Sequence, residues 1–527
     1  MLESRPMESQ GRIARAAGVM SAATFISRVL GFVRDMTLAS FFGAAGASDT
    51  FFVAFRIPNL LRELFAEGSM SSAFVPVLAR VEAGEGKAEA TRLVRAALTF
   101  MFLLVGTVCA LGALYAPEIV VAIAPGFRAD PEKLYLTVLL TRIMFPFLLF
   151  VSLAALVMGA LNTRRVFFVP ALASAVFNAV WIAAVPLLAG RVSPAIAAVA
   201  VGVAIGGGAQ LAFQLPSFLR AGYSLAPSFR FGHPGLRRMG VLLLPATLGM
   251  AVAQVNIFVS NILASYLPQG SITYLYYSMR LIQFPIGIFG VAMGMAVLPA
   301  LSEHAARGET GRLREDFSYA LRLLFFITIP AMAGLIALRG PIVNLLFVRG
   351  RFDEAAAAGT AQALLCYAFG IWAVVGVRVV AATFYALQDT RTPVRVGMAT
   401  ILVNLALSLA LMGPLAHAGL ALANACASMA NFTALFFLLR RRLGRIEAGR
   451  IVRSLLRTAA AAALMGLAGW ALLRGQLWEA GGHTALKAAL FAGTAALCLA
   501  LYCGASRLLG SEELSSVIAL ARRRVNR

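Results

Sequence analysis

The chain has 527 residues, 60% hydrophobic and only 13% charged, with a mean hydropathy of +0.83. Soluble domains carry roughly 25% charged residues, so this composition excludes a soluble enzyme, a disordered chain and a secreted disulfide scaffold. The remaining charge is lopsided: 46 Lys and Arg oppose 23 Asp and Glu, a formal net charge of +23 carried almost wholly by Arg.

A bilayer core about 30 Å thick is crossed by ~20 apolar residues in a helix. Apolar runs punctuated by Gly, Pro and charge predict fourteen spans. The first seven cover 17–43, 48–79, 93–116, 134–161, 166–189, 194–219 and 239–266. The other seven cover 271–302, 317–338, 356–387, 393–412, 416–439, 454–473 and 485–506. Loops are expected at Ala116-Pro117, Ala124-Pro125-Gly126, Leu267-Pro268, Arg339-Gly340-Pro341 and Gly413-Pro414. Segment 1–16 is polar and basic, and the apolar run after it lacks the short core and small-residue cleavage site of a signal peptide. No polar stretch is long enough for a sizeable soluble domain.

Basic residues fall unevenly between the two sides of this layout. The side with both termini receives 30 of the 46, the other side receives eight (Lys487 among them), and eight Arg lie inside spans. The positive-inside rule then puts both termini in the cytoplasm, so the basic charge calls for no nucleic-acid partner. The five Cys sit in apolar runs without metal or disulfide spacing and read as small hydrophobes. The four His are scattered through loops. No cofactor and no metal site is expected.

The chain looks duplicated. Val75-Pro76-Val77-Leu78-Ala79 matches Leu298-Pro299-Ala300-Leu301-Ser302, and Ala160-Leu161-Asn162-Thr163-Arg164 matches Ala386-Leu387-Gln388-Asp389-Thr390-Arg391. Asn178 and Asn404 follow at the same offset. Six spans per copy give both copies one orientation, the parallel repeat of a transporter. The expected organisation is a cytoplasmic segment over 1–16, a lobe over 17–220, a second lobe over 221–440, two surplus helices over 441–507 and a basic tail over 508–527.

The Arg inside spans are Arg28, Arg34, Arg56, Arg62, Arg142, Arg280, Arg322 and Arg378. A charge at a helix centre costs about 2.5–3.5 kcal/mol on insertion scales, so each needs water, a partner or a short reach to the interface. Arg322 is close enough to a span end to snorkel. For Arg56, Arg142 and Arg378 both snorkelling and function stay open. Acids are confined to the first two spans: Asp35, Asp49, Glu63 and Glu67. Asp35 lies seven residues after Arg28 and Glu63 seven after Arg56, two helical turns in each case, so each pair shares a face. Arg34, beside Asp35, stands elsewhere on the helical wheel. The surplus cation suits a phosphate-bearing anion, because the planar fork of Arg donates two parallel bonds and stays charged.

Three stretches carry a resemblance. They are Ser27-Arg28-Val29-Leu30-Gly31-Phe32-Val33-Arg34-Asp35, the run from Asp49-Thr50-Phe51-Phe52 to Arg56-Ile57-Pro58-Asn59-Leu60-Leu61-Arg62, and Phe65-Ala66-Glu67-Gly68. With Phe74-Val75-Pro76 and Arg280-Leu281-Ile282-Gln283-Phe284-Pro285, the sequence resembles the bacterial lipid II flippase family (MurJ, also called MviN) over essentially its whole length. The resemblance implies an all-α membrane protein of the MOP exporter superfamily, with two six-helix lobes in a MATE-like V and two extra helices. The implied substrate is lipid II, an undecaprenyl-pyrophosphate disaccharide pentapeptide flipped from the cytoplasmic to the outer leaflet of the bacterial inner membrane. The cell-wall synthesis or division machinery becomes a candidate partner.

The resemblance also implies that Arg28, Arg34, Arg62 and Arg280 bind the pyrophosphate. Asp35, Asp49, Arg56, Asn59, Glu63 and Glu67 would support, gate or couple, with Asp35 orienting Arg34 or Arg28. The last two spans, with Leu467, Trp470, Leu490 and Phe491, would form a lipid-tail groove. Two departures stand out. Many members carry a second Arg where this chain has Glu63. Carboxylates that bind sodium in some members are missing from the stretches Gln254–Ser260 and Asn404–Ser408. The alternatives are another MOP exporter, for a polyprenyl-linked oligosaccharide or a drug, and a membrane enzyme acting on polyprenyl phosphates.

Overall fold

Amides in hydrocarbon have no water to bond, which drives a chain of this composition into helices. Among the described residues the regular structure is entirely helical. The computed structural model describes the backbone over 5–65, 69–287, 291–444, 446–479 and 481–525. Side chains are described over the same ranges except 5–21, 64–65, 69–72, 244–253, 291–296 and 520–525.

The chain contacts form two units, Met1–Tyr266 and Leu267–Arg527. The first holds α1 (Arg5–Phe42), α2 (Gly46–Phe65), α3 (Ser69–Leu114), α4 (Ala116–Ile123), α5 (Pro131–Thr163), α6 (Phe168–Leu188), α7 (Ala197–Arg220) and α8 (Pro234–Ala264). The second begins with α9 (Ser271–Pro285), α10 (Val291–Ala306), α11 (Thr310–Ala337), α12 (Arg339–Phe347) and α13 (Glu354–Ala368). It continues with α14 (Ile371–Ala386), α15 (Arg391–Leu443), α16 (Ala448–Leu472), α17 (Thr484–Leu508) and α18 (Glu512–Val525).

In the first unit α5 packs against α2, α3 and α7, α6 lies between α1 and α7, and α8 rests on α3. Glycines on α7 permit the close approach. A Cβ at Gly202 would sit 2.6 Å from Trp181, and one at Gly207 2.8 Å from Phe147. Small residues at helix crossings are how apolar helices pack without a hydrophobic drive between them. The rings of Phe51, Phe55, Phe147, Phe177 and Trp181 fill the space so defined. In the second unit α11 contacts α14 and α16, α9 contacts α13, and α17 packs on α16.

Among the described residues, nine helical stretches are long and apolar enough to cross a membrane. Some expected spans are continuous with their neighbours. Those over 393–412 and 416–439 run together as α15, with Ala416 as a non-helical seam at φ 47°. The span over 356–387 is instead built of α13 and α14, where Gly370 meets Ala425 so closely that a Cβ would lie 2.8 Å from its Cα. Expected loops at Ala116-Pro117 and Arg339-Gly340-Pro341 open the short helices α4 and α12. Proline is tolerated in a first turn, whose N–H groups have no partner within the helix.

Two helices end in the same kind of backbone turn. α5 closes with bonds from Val166 N to Leu161 O and from Arg165 N to Asn162 O. α14 closes the same way, from Asp389 N to Phe384 O and from Gln388 N to Tyr385 O. Both turns put a non-glycine residue in the left-handed region, Arg165 at φ 61° and Gln388 at φ 59°, an uncommon choice.

Two charged residues tie helices together, one of them against expectation. Arg322 does not snorkel: its Nη1 donates to Glu512 at 2.8 Å and to Glu513 at 3.0 Å. The basic tail over 508–527 contains α18, anchored at its start. That bond also holds the Glu512 carboxyl below its ordinary range. Lys487, expected at the start of the last span on the side opposite the termini, is 2% exposed in the first turn of α17 and donates to Asn344 Oδ1 of α12 at 2.7 Å. Its amine thereby ties α17 to α12 beside the apolar cluster of Leu338, Leu473 and Trp478.

Gly126 donates its N–H to Ser265 Oγ at 3.0 Å, and a Cβ there would fall 2.3 Å from the Ser265 carbonyl oxygen. Gly126→Ala should lower the thermal unfolding temperature of the purified chain, reflecting the about 1–3 kcal/mol typical of overpacking. Gly84→Ala, with nothing within 4 Å of the added Cβ, should leave it unchanged.

Candidate functional site

The first unit collects most of the charged candidates on α1 and α2. Arg34 is the best defined. Its side chain is 11% exposed and Asp35 is 1% exposed. Nε and Nη2 of Arg34 both donate to Asp35 Oδ1, at 3.0 and 2.7 Å, and Nη1 donates to Asn178 Oδ1 at 3.2 Å. The guanidinium carbon lies 4.2 Å from the centre of the Trp181 ring, a cation–π distance. Asn178 is itself oriented, its Nδ2 donating to the Ser27 carbonyl at 3.1 Å. Although Arg34 stands elsewhere on the helical wheel, its long side chain folds back to Asp35, so of the two arginines that the resemblance has Asp35 orient, Arg34 is the one in contact with it. Helix-wheel angle governs the Cβ direction but not the reach of a four-bond side chain.

The pair expected between Arg28 and Asp35 does not form. Arg28 is exposed and makes no ion pair among the described residues. The pair expected between Arg56 and Glu63 is absent as well. Glu63 instead accepts from Asn59 Nδ2 at 3.0 Å and from Gln254 Nε2, while Asn59 Oδ1 accepts from Arg62 Nε at 3.1 Å. This Arg62–Asn59–Glu63–Gln254 chain joins α2 to α8. Arg56 lines an apolar cavity of about 420 Å³ with Ile57, Leu60, Phe145 and Phe258.

Asp49, in the first turn of α2, is 1% exposed and 3.6 Å from Lys133 Nζ, which sits 4.3 Å above the Phe127 ring. A carboxylate there also gains from the positive end of the helix dipole. Arg142 is exposed and donates to the Ala113 carbonyl at 3.0 Å, and Arg378 is exposed. Arg280, in the second unit, is half-buried on α9. Glu67 lies outside the described residues.

Asn178, Trp181, Lys133 and Gln254 were not singled out as site residues. Asn178 did carry a signal: it is a lone amide in the apolar helix α6, and its repeat partner Asn404 is also buried, at 2% exposure. Gln254 and Lys133 gave none, because their roles depend on which helix packs against α2.

The family model for the lipid II flippase MurJ matches residues 38–487. The chain is 35% identical over 432 residues to the probable lipid II flippase MurJ of Vibrio cholerae, covering 81% of this chain and 82% of that one. It is 34% identical over 432 residues to the lipid II flippase MurJ of Burkholderia cenocepacia, covering 81% and 84%. A solved lipid II flippase MurJ in an inward closed conformation superposes with a TM-score of 0.73 at 24% identity, over 92% of this chain and 98% of that one. An inward-facing multidrug resistance MATE transporter of the MOP superfamily superposes with a TM-score of 0.65 at 15% identity, over 82% and 99%. At these identities the two structures speak for the fold alone.

The contact between Glu63 and Gln254 should appear as non-additivity. In a double-mutant cycle of Glu63→Ala and Gln254→Ala read by thermal unfolding, the coupling should be about 0.5–3 kcal/mol. Additive effects would mean that the bond contributes nothing to joining α2 and α8.

Proposed function

The chain belongs to the MurJ family of lipid II flippases, multi-pass proteins of the bacterial inner membrane, and from that premise we propose how its own residues serve the transport. The pyrophosphate of lipid II is bound by Arg28, Arg34, Arg62 and Arg280. The observation that carries this reading is Arg34: a nearly buried guanidinium held by Asp35 and Asn178 against Trp181.

A headgroup of two phosphates, two sugars and a peptide is too polar to cross hydrocarbon unaided. Fixed guanidinium groups lower that barrier by replacing water around the phosphate charge. Asp35 and Asn178 act through Arg34 by fixing the plane of its fork. Asn59 does the same for Arg62. Asp49 with Lys133 ties α2 to α5, and Glu63 with Gln254 ties α2 to α8, so both pairs steady the helix that carries Arg56 and Arg62.

Transport proceeds by alternating access of the two lobes, with the polyprenyl tail remaining in lipid along the last two spans, and no bond is made or broken. The excess of Lys and Arg on one side orients both termini to the cytoplasm. A cation exporter of the same fold would gain nothing from a set of Arg on α1 and α2.

The test is complementation of a flippase-depleted bacterium, combined with an assay of lipid II accessibility at the outer leaflet. Each charge-assisted bond lost is worth ~1.5–3 kcal/mol. Arg28→Ala, Arg34→Ala, Arg62→Ala and Arg280→Ala should therefore each reduce flipping about tenfold or more. Arg34→Lys should fare little better than Arg34→Ala, since an ammonium cannot present two parallel donors. Full rescue by all four alanine variants would refute the assignment.

A further inference from the structure

The start of α18 is clamped in place. α17 ends at Leu508, and an elbow with Gly510 in the left-handed region (φ 66°) leads directly into α18. Arg457 on α16 donates to the Gly510 carbonyl at 2.8 Å, and Arg322 on α11 donates to Glu512 and Glu513. Glu513, with 4% of its side chain exposed, also receives the hydroxyls of Ser454 and Ser511, each at 2.9 Å. A carboxylate buried under three donors belongs to a fixed joint. Because α17 is long and apolar enough to cross a membrane, that joint sets α18 at the edge of the hydrocarbon.

Over 515–519 the helix is open. Leu514, Val517, Ile518, Ala521 and Val525 recur at the spacing of a single helical stripe. Leu514 is buried at 8% exposure, but one turn later Val517 and Ile518 are 37% and 41% exposed. Leu508 and Leu509 at the elbow are 89% and 40% exposed. The sequence then brings Arg522, Arg523 and Arg524 into the last turn. An apolar stripe followed by a basic turn, at the end of a membrane span, has the character of a helix lying in the headgroup layer.

We propose that α18 is a membrane-surface helix whose ligand is anionic phospholipid. Val517 and Ile518 enter the acyl boundary, Arg522, Arg523 and Arg524 meet the headgroup phosphates, and the clamp of Arg322 on Glu513 sets the depth. Charge decides the occupant. A second copy packed in parallel on this face would bring three arginines against three, whereas an acidic leaflet attracts them. Only the identity of the leaflet as cytoplasmic rests on the orientation proposed above.

The test is hydrogen–deuterium exchange of the full chain in nanodiscs of phosphatidylcholine alone and of equal parts phosphatidylcholine and phosphatidylglycerol. Peptides over 514–525 should exchange about tenfold more slowly in the acidic discs, and high salt should remove the difference. The triple variant Arg522→Gln, Arg523→Gln, Arg524→Gln should also remove it while leaving exchange in α16 and α17 unchanged. Arg322→Gln should speed exchange over 511–518 in both lipids.

Equal rates in the two lipids for the native chain, or slowing that the triple variant keeps, would overturn the proposal. Protection seen only in discs holding two copies would assign the face to a second copy and overturn it too. Exchange does not read flipping, so this result and the pyrophosphate assignment fail separately.

Discussion

Removing a guanidinium from water is the cost around which this molecule is arranged. Arg cannot shed its charge, so each Arg in an apolar span must find acceptors, an aromatic face or a route to solvent. Arg34 has a carboxylate on one edge, an amide on another and the Trp181 ring beneath. The Trp181 ring in turn has its place because Gly202 on α7 carries no side chain. A single charged position on α1 thus depends on α6 and α7, which explains why aromatic rings and glycines concentrate in this part of the first unit.

The same cost separates two kinds of arginine. Arg322 faces the buried Glu513 and serves as a structural tie for the last helix. Arg34 is also paired, but its partner Asp35 is the neighbouring residue on the same helix. Such a pair contributes nothing to joining helices, so the tertiary bond of Arg34 is to a neutral amide. A buried ion pair is weak evidence for stability, and here the pairing of Arg34 with Asp35 is better understood as aiming a donor group. Lys487 belongs with Arg322, because its amine bonds across helices to Asn344.

Much of the fold was legible in the sequence. Apolar periodicity and Gly/Pro breaks gave an all-helical membrane chain, and the turns that end α5 at Arg165 and α14 at Gln388 share backbone geometry, three residues out of register with the sequence match. Helix boundaries at Pro117 and Pro341 were misjudged, because proline both breaks and opens helices. The contacts among the candidate residues were not legible. Two-turn spacing suggested Arg28 with Asp35 and Arg56 with Glu63, yet flexible side chains reach nearer acceptors and tertiary amides. Asn178 and Gln254 become partners only once α6 lies against α1 and α8 against α2, and no local pattern states that.

On the proposed function, positioned arginines recognise a pyrophosphate. The most direct measurement is equilibrium binding of undecaprenyl pyrophosphate and of the neutral alcohol undecaprenol to the purified chain, with and without Arg34→Ala. Charge-assisted bonds of ~1.5–3 kcal/mol each predict that the pyrophosphate binds about tenfold or more tighter than the alcohol, and that Arg34→Ala removes most of this preference while leaving alcohol binding unchanged. Equal binding of the two lipids by the native chain, or a preference untouched by Arg34→Ala, would contradict it.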